Sequence, residues 1–384
     1  MSKETKIISV VLSIVLVMAV CFQVGFYVGL GQGLAAETED PYLASIEEAW
    51  QNINTYYVEK DSLDHELLSQ YAIEGMLEYL DDNHSAYLNP EAFAEDVEDT
   101  AGSYSGIGIL ASAIEEKFVV VRVYEGSPSE AAGICAGDII TAVDGVTTEG
   151  MSFKELIARV RGEEGTTVII QVLHENAAEP ENIIVARAVI DVPSVHSEMI
   201  GTIAYIHIDQ FSKDTDEELS RILKNVSDAG ATGIVLDLRN NLGGLLDTLI
   251  NVASSFYSEG NILTIKENDG STRKYDVKKQ DVTTDLPMVV LVNRFSASAS
   301  EALSGALQDH GRALIAGTIT YGKGSANVMY ELPSGAGLYL TTARWYTPNG
   351  NMIEGIGITP DFVTDLTGDD LLQWAVDYLN DNIS

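Results

Sequence analysis

Apolar residues recur at helical spacing in two stretches between residues 41 and 80. Ala44, Ile46, Ala49, Ile53 and Tyr56 mark the first, and Leu67, Tyr71, Ile73, Met76 and Leu80 the second; both predict amphipathic helices. Asp81-Asp82-Asn83-His84 ends the second helix, and Asn89-Pro90 opens a further acidic helix to about residue 99. From Gly102 the texture changes. β-Branched runs at 118–123, 139–143, 167–173 and 183–188, divided by Gly and Pro, predict a small β-rich domain. One helix interrupts it at 152–161, with Phe153, Leu156, Ile157 and Val160 on one face. Beyond Val195, strands at 202–208, 233–238, 288–292 and 313–317 alternate with helices at 215–229, 245–257 and 298–310. That alternation predicts an α/β core.

The N-terminus follows a different rule. Lys3 and Lys6 precede an apolar run over residues 7–30, about the 20 residues that span a bilayer. The expectation is a single-pass signal-anchor in a bacterial cytoplasmic membrane. Its lysines would stay in the cytoplasm and everything after Glu37 would lie outside. Gly33-Leu34-Ala35-Ala36 is a mediocre cleavage site, which leaves secretion after cleavage as the alternative. The expected organisation is 1–36 cytoplasmic tip and anchor, 37–99 helical segment, 100–188 β-rich domain, 189–367 core and 368–384 C-terminal helix. For the two helices beside the anchor, packing on a domain and a homodimer contact stand as equal readings.

Composition narrows the partners. A net charge of −36, from 58 acidic and 22 basic side chains, repels nucleic acid and anionic lipid surfaces. Two cysteines, Cys21 and Cys135, supply no disulfide framework. No His-Glu-x-x-His or paired-cysteine spacing points to a metal, and no phosphate-binding glycine loop to a nucleotide, so no cofactor is expected. His207 and His310 fall in or beside core elements and read as structural, and His84 is given no role.

Three motifs carry candidate chemistry. The strand at 288–292 runs into Ser296-Ala297-Ser298-Ala299-Ser300-Glu301 and then a helix. Such a junction exposes a hydroxyl and points free N–H groups and the positive helix end at it. Ser298-x-x-Glu301 is equally a capping box. Lys323 sits between two glycines in Tyr321-Gly322-Lys323-Gly324. Desolvation there would lower its pKa toward that of a general base, whereas a solvated loop lysine is the bland reading. Finally, Asp237-Leu238-Arg239-Asn240-Asn241-Leu242-Gly243-Gly244 ends a strand in a turn whose amides can face a ligand.

With Leu340-Thr341-Thr342-Ala343-Arg344-Trp345-Tyr346-Thr347-Pro348-Asn349-Gly350, Glu354-Gly355-Ile356-Gly357-Ile358-Thr359-Pro360-Asp361 and the upstream Asp81-Asp82-Asn83-His84-Ser85, these motifs resemble, in order, the carboxyl-terminal processing peptidases, or tail-specific proteases. The resemblance covers nearly everything after residue 40. It implies a crotonase-like α/β peptidase core with an inserted β-rich PDZ domain, added to the helical segment and the transmembrane signal-anchor. It places the nucleophile on Ser298, the general base on Lys323, and the oxyanion amides on Ala299 and Gly243. A glutamine that orients the lysine in the family is Asn327 here, one methylene shorter, so reduced activity is expected. Tyr104-Ser105-Gly106-Ile107-Gly108-Ile109 resembles a PDZ carboxylate-binding loop, with the amides of Gly106, Ile107 and Gly108 as cradle and Leu156 and Val160 lining the pocket. Arg161 resembles a position that couples this domain to the core. The function implied is a membrane-anchored serine endopeptidase cutting proteins with apolar, flexible C-termini. The alternatives are a PDZ-type peptide-binding protein with weak or gated activity, and an acyl-thioester binder.

Overall fold

The computed structural model describes residues 40–114, 117–174 and 177–382. The chain divides between Ala72 and Ile73 into two compact units. The first holds α1 (Pro41–Tyr56), capped by the Asp40 carboxylate on the Tyr42 N–H, and the start of α2 (His65–Leu80). Neither helix has a buried residue. The apolar face of Tyr42, Ile46 and Ile53 stays exposed, and nothing shows a second copy covering it.

One element of the expected fold is corrected. Among the described residues, no helix is long and apolar enough to cross a membrane. The longest, α1 and α2, have 16 residues each, or about 24 Å at 1.5 Å per residue, short of the ~30 Å hydrocarbon layer. The apolar run at 7–30 that suggested the anchor lies outside the described residues, and those described contain no membrane-spanning helix.

The second unit opens with the rest of α2, followed by β1 (Ala86–Leu88), α3 (Pro90–Ala101) and β2 (Ser103–Gly106). A five-stranded path follows: β3 (Ile109–Ile114), β4 (Lys117–Val123), β5 (Ile139–Val143), β7 (Thr167–Leu173) and β8 (Glu181–Ala186), with β6 (Val146–Thr147) pairing β5. Two short helices belong to it, α4 (Pro128–Ala131) and α5 (Phe153–Val160). Its own core gathers Ile107, Phe118, Val120, Ile140, Leu156, Val168, Ile170 and Val185. The β3 strand is the edge of this sheet, and β2 returns to pair with β9 (Ala188–Asp191).

The core sheet runs β10 (Val195–Ile200), β11 (Ile203–Ile208), β12 (Gly233–Asp237), β15 (Met288–Val292), β16 (Leu314–Gly317) and β19 (Phe362–Val363). All neighbours are parallel except β10 and β11. Every residue of β12 and β15 is buried, as expected of parallel strands covered on both faces. On one face Leu219 and Leu223 of α6 (Thr215–Asp228), Leu249 and Val252 of α7 (Leu246–Ser254), and Leu303 and Leu307 of α8 (Ala299–Asp309) join the main core. On the other, Leu371, Ala375 and Leu379 of α9 (Gly368–Asn382) cover Val235, Val289 and Leu291. A second, antiparallel sheet orders β1, β18 (Gly337–Tyr346), β13 (Asn261–Glu267) and β14 (Thr272–Asp276), with β17 (Ser325–Glu331) on β18. It sends Leu263, Ile265 and Trp345 into the main core. The periodicity reading missed this sheet; its strands are mixed in polarity and largely half-buried.

Candidate active site

The β15 strand ends at Val292, and the chain turns through Ser296 and Ala297 into α8. That turn is tied to the loop after β12 by several bonds. Ser296 Oγ donates to the Leu238 carbonyl at 2.8 Å, the Ala297 N–H to Asn241 O at 2.9 Å, and Ser300 Oγ to the same oxygen at 3.0 Å. So tethered, Ser298 adopts φ 55° and ψ −113°, a conformation costing a non-glycine residue on the order of 1–3 kcal/mol. Ala299 follows as the first helical residue, and its N–H is among those with no intrahelical acceptor.

Gly243 lies directly against this serine. A Cβ there would come within 2.8 Å of Ser298 Cβ, 2.9 Å of Ala297 O and 3.0 Å of Ala299 N, at a φ of +106°. Its amide is already engaged, however, donating to Asn241 Oδ1 at 2.8 Å, while Asn241 Nδ2 holds the Ile208 carbonyl. The expected oxyanion role of Gly243 therefore requires that bond to open. Gly243→Ala should push Ser298 and Ala299 out of place and cut kcat/KM by about 100-fold, the scale of a 1 Å misplacement. Steady-state kinetics on the purified variant checks this, and a wild-type rate would show the contact to be dispensable.

Glu301, fully buried on the first turn of α8, joins the serine turn to the lysine turn. Its Oε2 accepts the N–H groups of Ser298 and Lys323, both at 2.9 Å. Its Oε1 accepts the Gly322 N–H at 2.7 Å and the Thr320 hydroxyl at 2.6 Å. Four donors thus fill the four lone-pair sites of one carboxylate. Read from its neighbours in sequence, Glu301 is only a capping residue. The available signal was an acid on a helix whose neighbours Ala299, Ala302, Leu303 and Ala306 are all core.

Lys323 is partly buried, with Nζ 5.6 Å from the centroid of the Tyr339 ring. Burial pushes its ammonium below the ordinary lysine range, against the opposing charges of Glu354, Asp82, Asp96 and Glu301. Asn327, expected to orient it, is occupied elsewhere: Nδ2 donates to the His84 carbonyl at 2.8 Å and to Thr341 Oγ1 at 3.0 Å, and Oδ1 accepts from Ser325 Oγ at 3.2 Å. Ser298, Ala299, Lys323 and Asn327 nevertheless line one cavity of about 510 Å³. Leu249, Leu263, Ile265, Ala302 and Trp345 give that cavity an apolar wall, and Asp96 and Asp247 also line it. Behind it, Arg239 forks onto the buried Asp237 at 2.6–3.0 Å and donates to the Gly368 carbonyl, fixing the loop that carries Gly243.

A second cavity, about 310 Å³, lies between β3 and α5 and is lined by Ile107, Ile109, Leu110, Leu156 and Val160. Gly108 has φ +83°, and a Cβ there would meet Ser127 Cβ at 2.2 Å, so only glycine fits. Gly106 is placed differently from the loop expected: it lies in β2, opposite Ala188. Arg161, at the end of α5, stacks 4.8 Å over the Tyr104 ring and pairs with Glu98 of α3 at 3.1 Å.

Among the described residues, no group of three or more His, Cys, Asp or Glu side chains is placed to hold a metal ion.

The profile of peptidase family S41 matches residues 202–364, that of the PDZ domain residues 119–173, and that of the N-terminal domain of the activating protease CtpB residues 30–92. The chain is 37% identical over 330 residues to the carboxy-terminal-processing protease of Bartonella bacilliformis, covering 84% of this chain and 75% of that one. It is 36% identical over 330 residues to the carboxyl-terminal-processing protease of a Picosynechococcus species, covering 83% and 80%. A solved structure, the photosystem II D1 C-terminal processing protease, is 31% identical, covers 83% of this chain and 92% of that one, and has a TM-score of 0.49. Identity at this level, over most of this chain and at least three quarters of both curated relatives, shows that the chain belongs to the carboxyl-terminal processing proteases of peptidase family S41 and is a serine peptidase with a PDZ domain.

Proposed function

We propose that the chain is an endopeptidase in which Ser298 is the nucleophile, Lys323 its general base, and the PDZ groove the captor of an apolar, flexible C-terminal tail. The observation that carries this reading is the shared cavity of Ser298 and Lys323, with Glu301 bonded to the amides of both. Lys323 takes the Ser298 proton, Ser298 Oγ attacks the peptide carbonyl, and the Ala299 N–H meets the oxyanion. The proton then passes to the leaving amine, and water releases the acyl group. The apolar wall of the cavity favours an aliphatic side chain at the cut.

In the second cavity, β3 offers an open strand edge to an extended peptide, and Leu156 and Val160 line the space for its last side chain. The test uses one unstructured protein with two endings, Ala-Ala and Asp-Asp, and reads the products by mass spectrometry. Cleavage should favour the apolar ending by at least tenfold in kcat/KM. Leu156→Asp should abolish that preference mainly through KM, because it places a carboxylate in the apolar pocket. Equal cleavage of both endings would sink tail capture. A peptide-binding protein with weak activity is the second reading, favoured by the engagement of Asn327 and of the Gly243 amide.

A further inference from the structure

We propose that Glu354, held by His84, is the residue that positions Lys323 and sets its grip on the proton. This rests on the reading of Lys323 as the base. Asn327 is bonded to His84 O, Thr341 and Ser325, which leaves the orienting role open to another residue. The loop carrying Glu354 lies flat against the lysine turn. The Gly355 N–H donates to the Gly322 carbonyl at 2.9 Å, and a Cβ on Gly324 would stand 2.5 Å from Glu354 N and 3.1 Å from Glu354 Cβ. These contacts hold the two loop backbones against each other.

The carboxylate itself is half used. Its Oε1 lies 3.1 Å from His84 Nε2, whereas Oε2 is buried with no hydrogen-bond partner. A buried carboxylate oxygen lacking a donor is costly, and an ammonium reaching it would remove that cost. Burial lowers the pKa of the Lys323 ammonium, and among the carboxylates that oppose this Glu354 comes first, ahead of Asp82, Asp96 and Glu301. Arg344 also acts on Asp82, helping to hold its carboxyl below the usual range. His84 is fixed from three sides: its carbonyl by Asn327, its N–H by Asp82 Oδ1 at 3.1 Å, and its ring edge-on to Tyr321 at 6.5 Å. Asn327 thus serves Lys323 at one remove, by anchoring the histidine that holds Glu354. When the lysine accepts the Ser298 proton, the new positive charge forms within the field of a carboxylate that His84 already holds.

Glu354→Gln, in the full chain, keeps the shape and an oxygen for His84 but removes the charge. The Lys323 titration, followed by the 13Cε resonance that disappears in Lys323→Met, should move to lower pH. The acid limb of kcat/KM should follow it, with kcat on the plateau down about tenfold and KM little changed. Glu354→Asp, which keeps the charge, should hold the limb near its original position. His84→Asn should move the titration the other way, upward, as Glu354 turns wholly to the lysine. A Lys323 titration unmoved by both Glu354→Gln and His84→Asn overturns the proposal and leaves Glu354 a structural residue. If the titration moves and the acid limb does not, Glu354 controls Lys323 but Lys323 is not the base, and the proposed dyad falls instead.

Discussion

Replacing Ser298 with alanine is expected to lower kcat for tail cleavage by about 10⁴- to 10⁶-fold while leaving the fold and peptide capture unchanged. The loss follows from the turn: Ser296, Ala297 and Ser300 bind the loop after β12 and hold residue 298 at the mouth of α8, where no other hydroxyl shares the strained geometry. Alanine tolerates φ 55° no better than serine, so stability should change by less than ~0.5 kcal/mol. Ser298→Gly makes the strain visible. It should be equally inactive yet more stable than Ser298→Ala by about 1 kcal/mol, because glycine adopts positive φ without a Cβ clash. Product mass spectra, a tail-binding titration and thermal unfolding on the three proteins decide the matter. Residual cleavage above about 1% by pure Ser298→Ala would remove Ser298 from the mechanism, and intact binding without cleavage by the parent would favour the peptide-binding alternative.

Glu301→Gln should be nearly as damaging, although Glu301 reacts with nothing. Each carboxylate oxygen accepts two bonds, Oε1 from Thr320 Oγ1 and Gly322 N, and Oε2 from Ser298 N and Lys323 N. A glutamine NH₂ replaces one of those oxygens and faces at least one backbone donor. If it replaces Oε1, the Thr320 hydroxyl can turn but the Gly322 N–H is stranded; if it replaces Oε2, two amides are. A stranded buried donor costs about 1–3 kcal/mol, and relief comes only by moving the serine turn away from the lysine turn. We expect Glu301→Gln to lose about 2–3 kcal/mol in urea unfolding and at least 100-fold in kcat/KM. Activity within threefold of the parent, even at reduced stability, would show that the clamp supports the fold but does not set the dyad.

The chain-local signals proved easy to read. The unbroken apolar run of β15, the small-residue turn after it and the glycines flanking Lys323 each depend on neighbours in sequence, and together they led to the right family. The helices at 41–80 and the strands at 118–123, 139–143 and 167–173 follow from periodicity alone and match the structure within a residue or two, apart from the break between residues 56 and 65. The antiparallel sheet of β13, β14, β17 and β18 was not legible. Its strands bury only part of one face, so residues such as Thr264, Lys266 and Asn327 interrupt the alternation.

Local sequence was enough for the family, the strand-turn-helix that presents Ser298 and the glycine turn that carries Lys323. Tertiary structure decided which polar atoms remain free to act. Asn327 lies four residues from Lys323 yet bonds the carbonyl of His84, 243 positions away. Glu301 reads as a helix cap but receives the amides of a turn 21 and 22 residues on. The Gly243 amide, next to the serine, is taken by Asn241 two residues before it. A hydrogen-bonding group takes whichever partner the packed sheets bring within about 3 Å, and that pairing, unlike a helical period, leaves no trace in the order of residues along the chain.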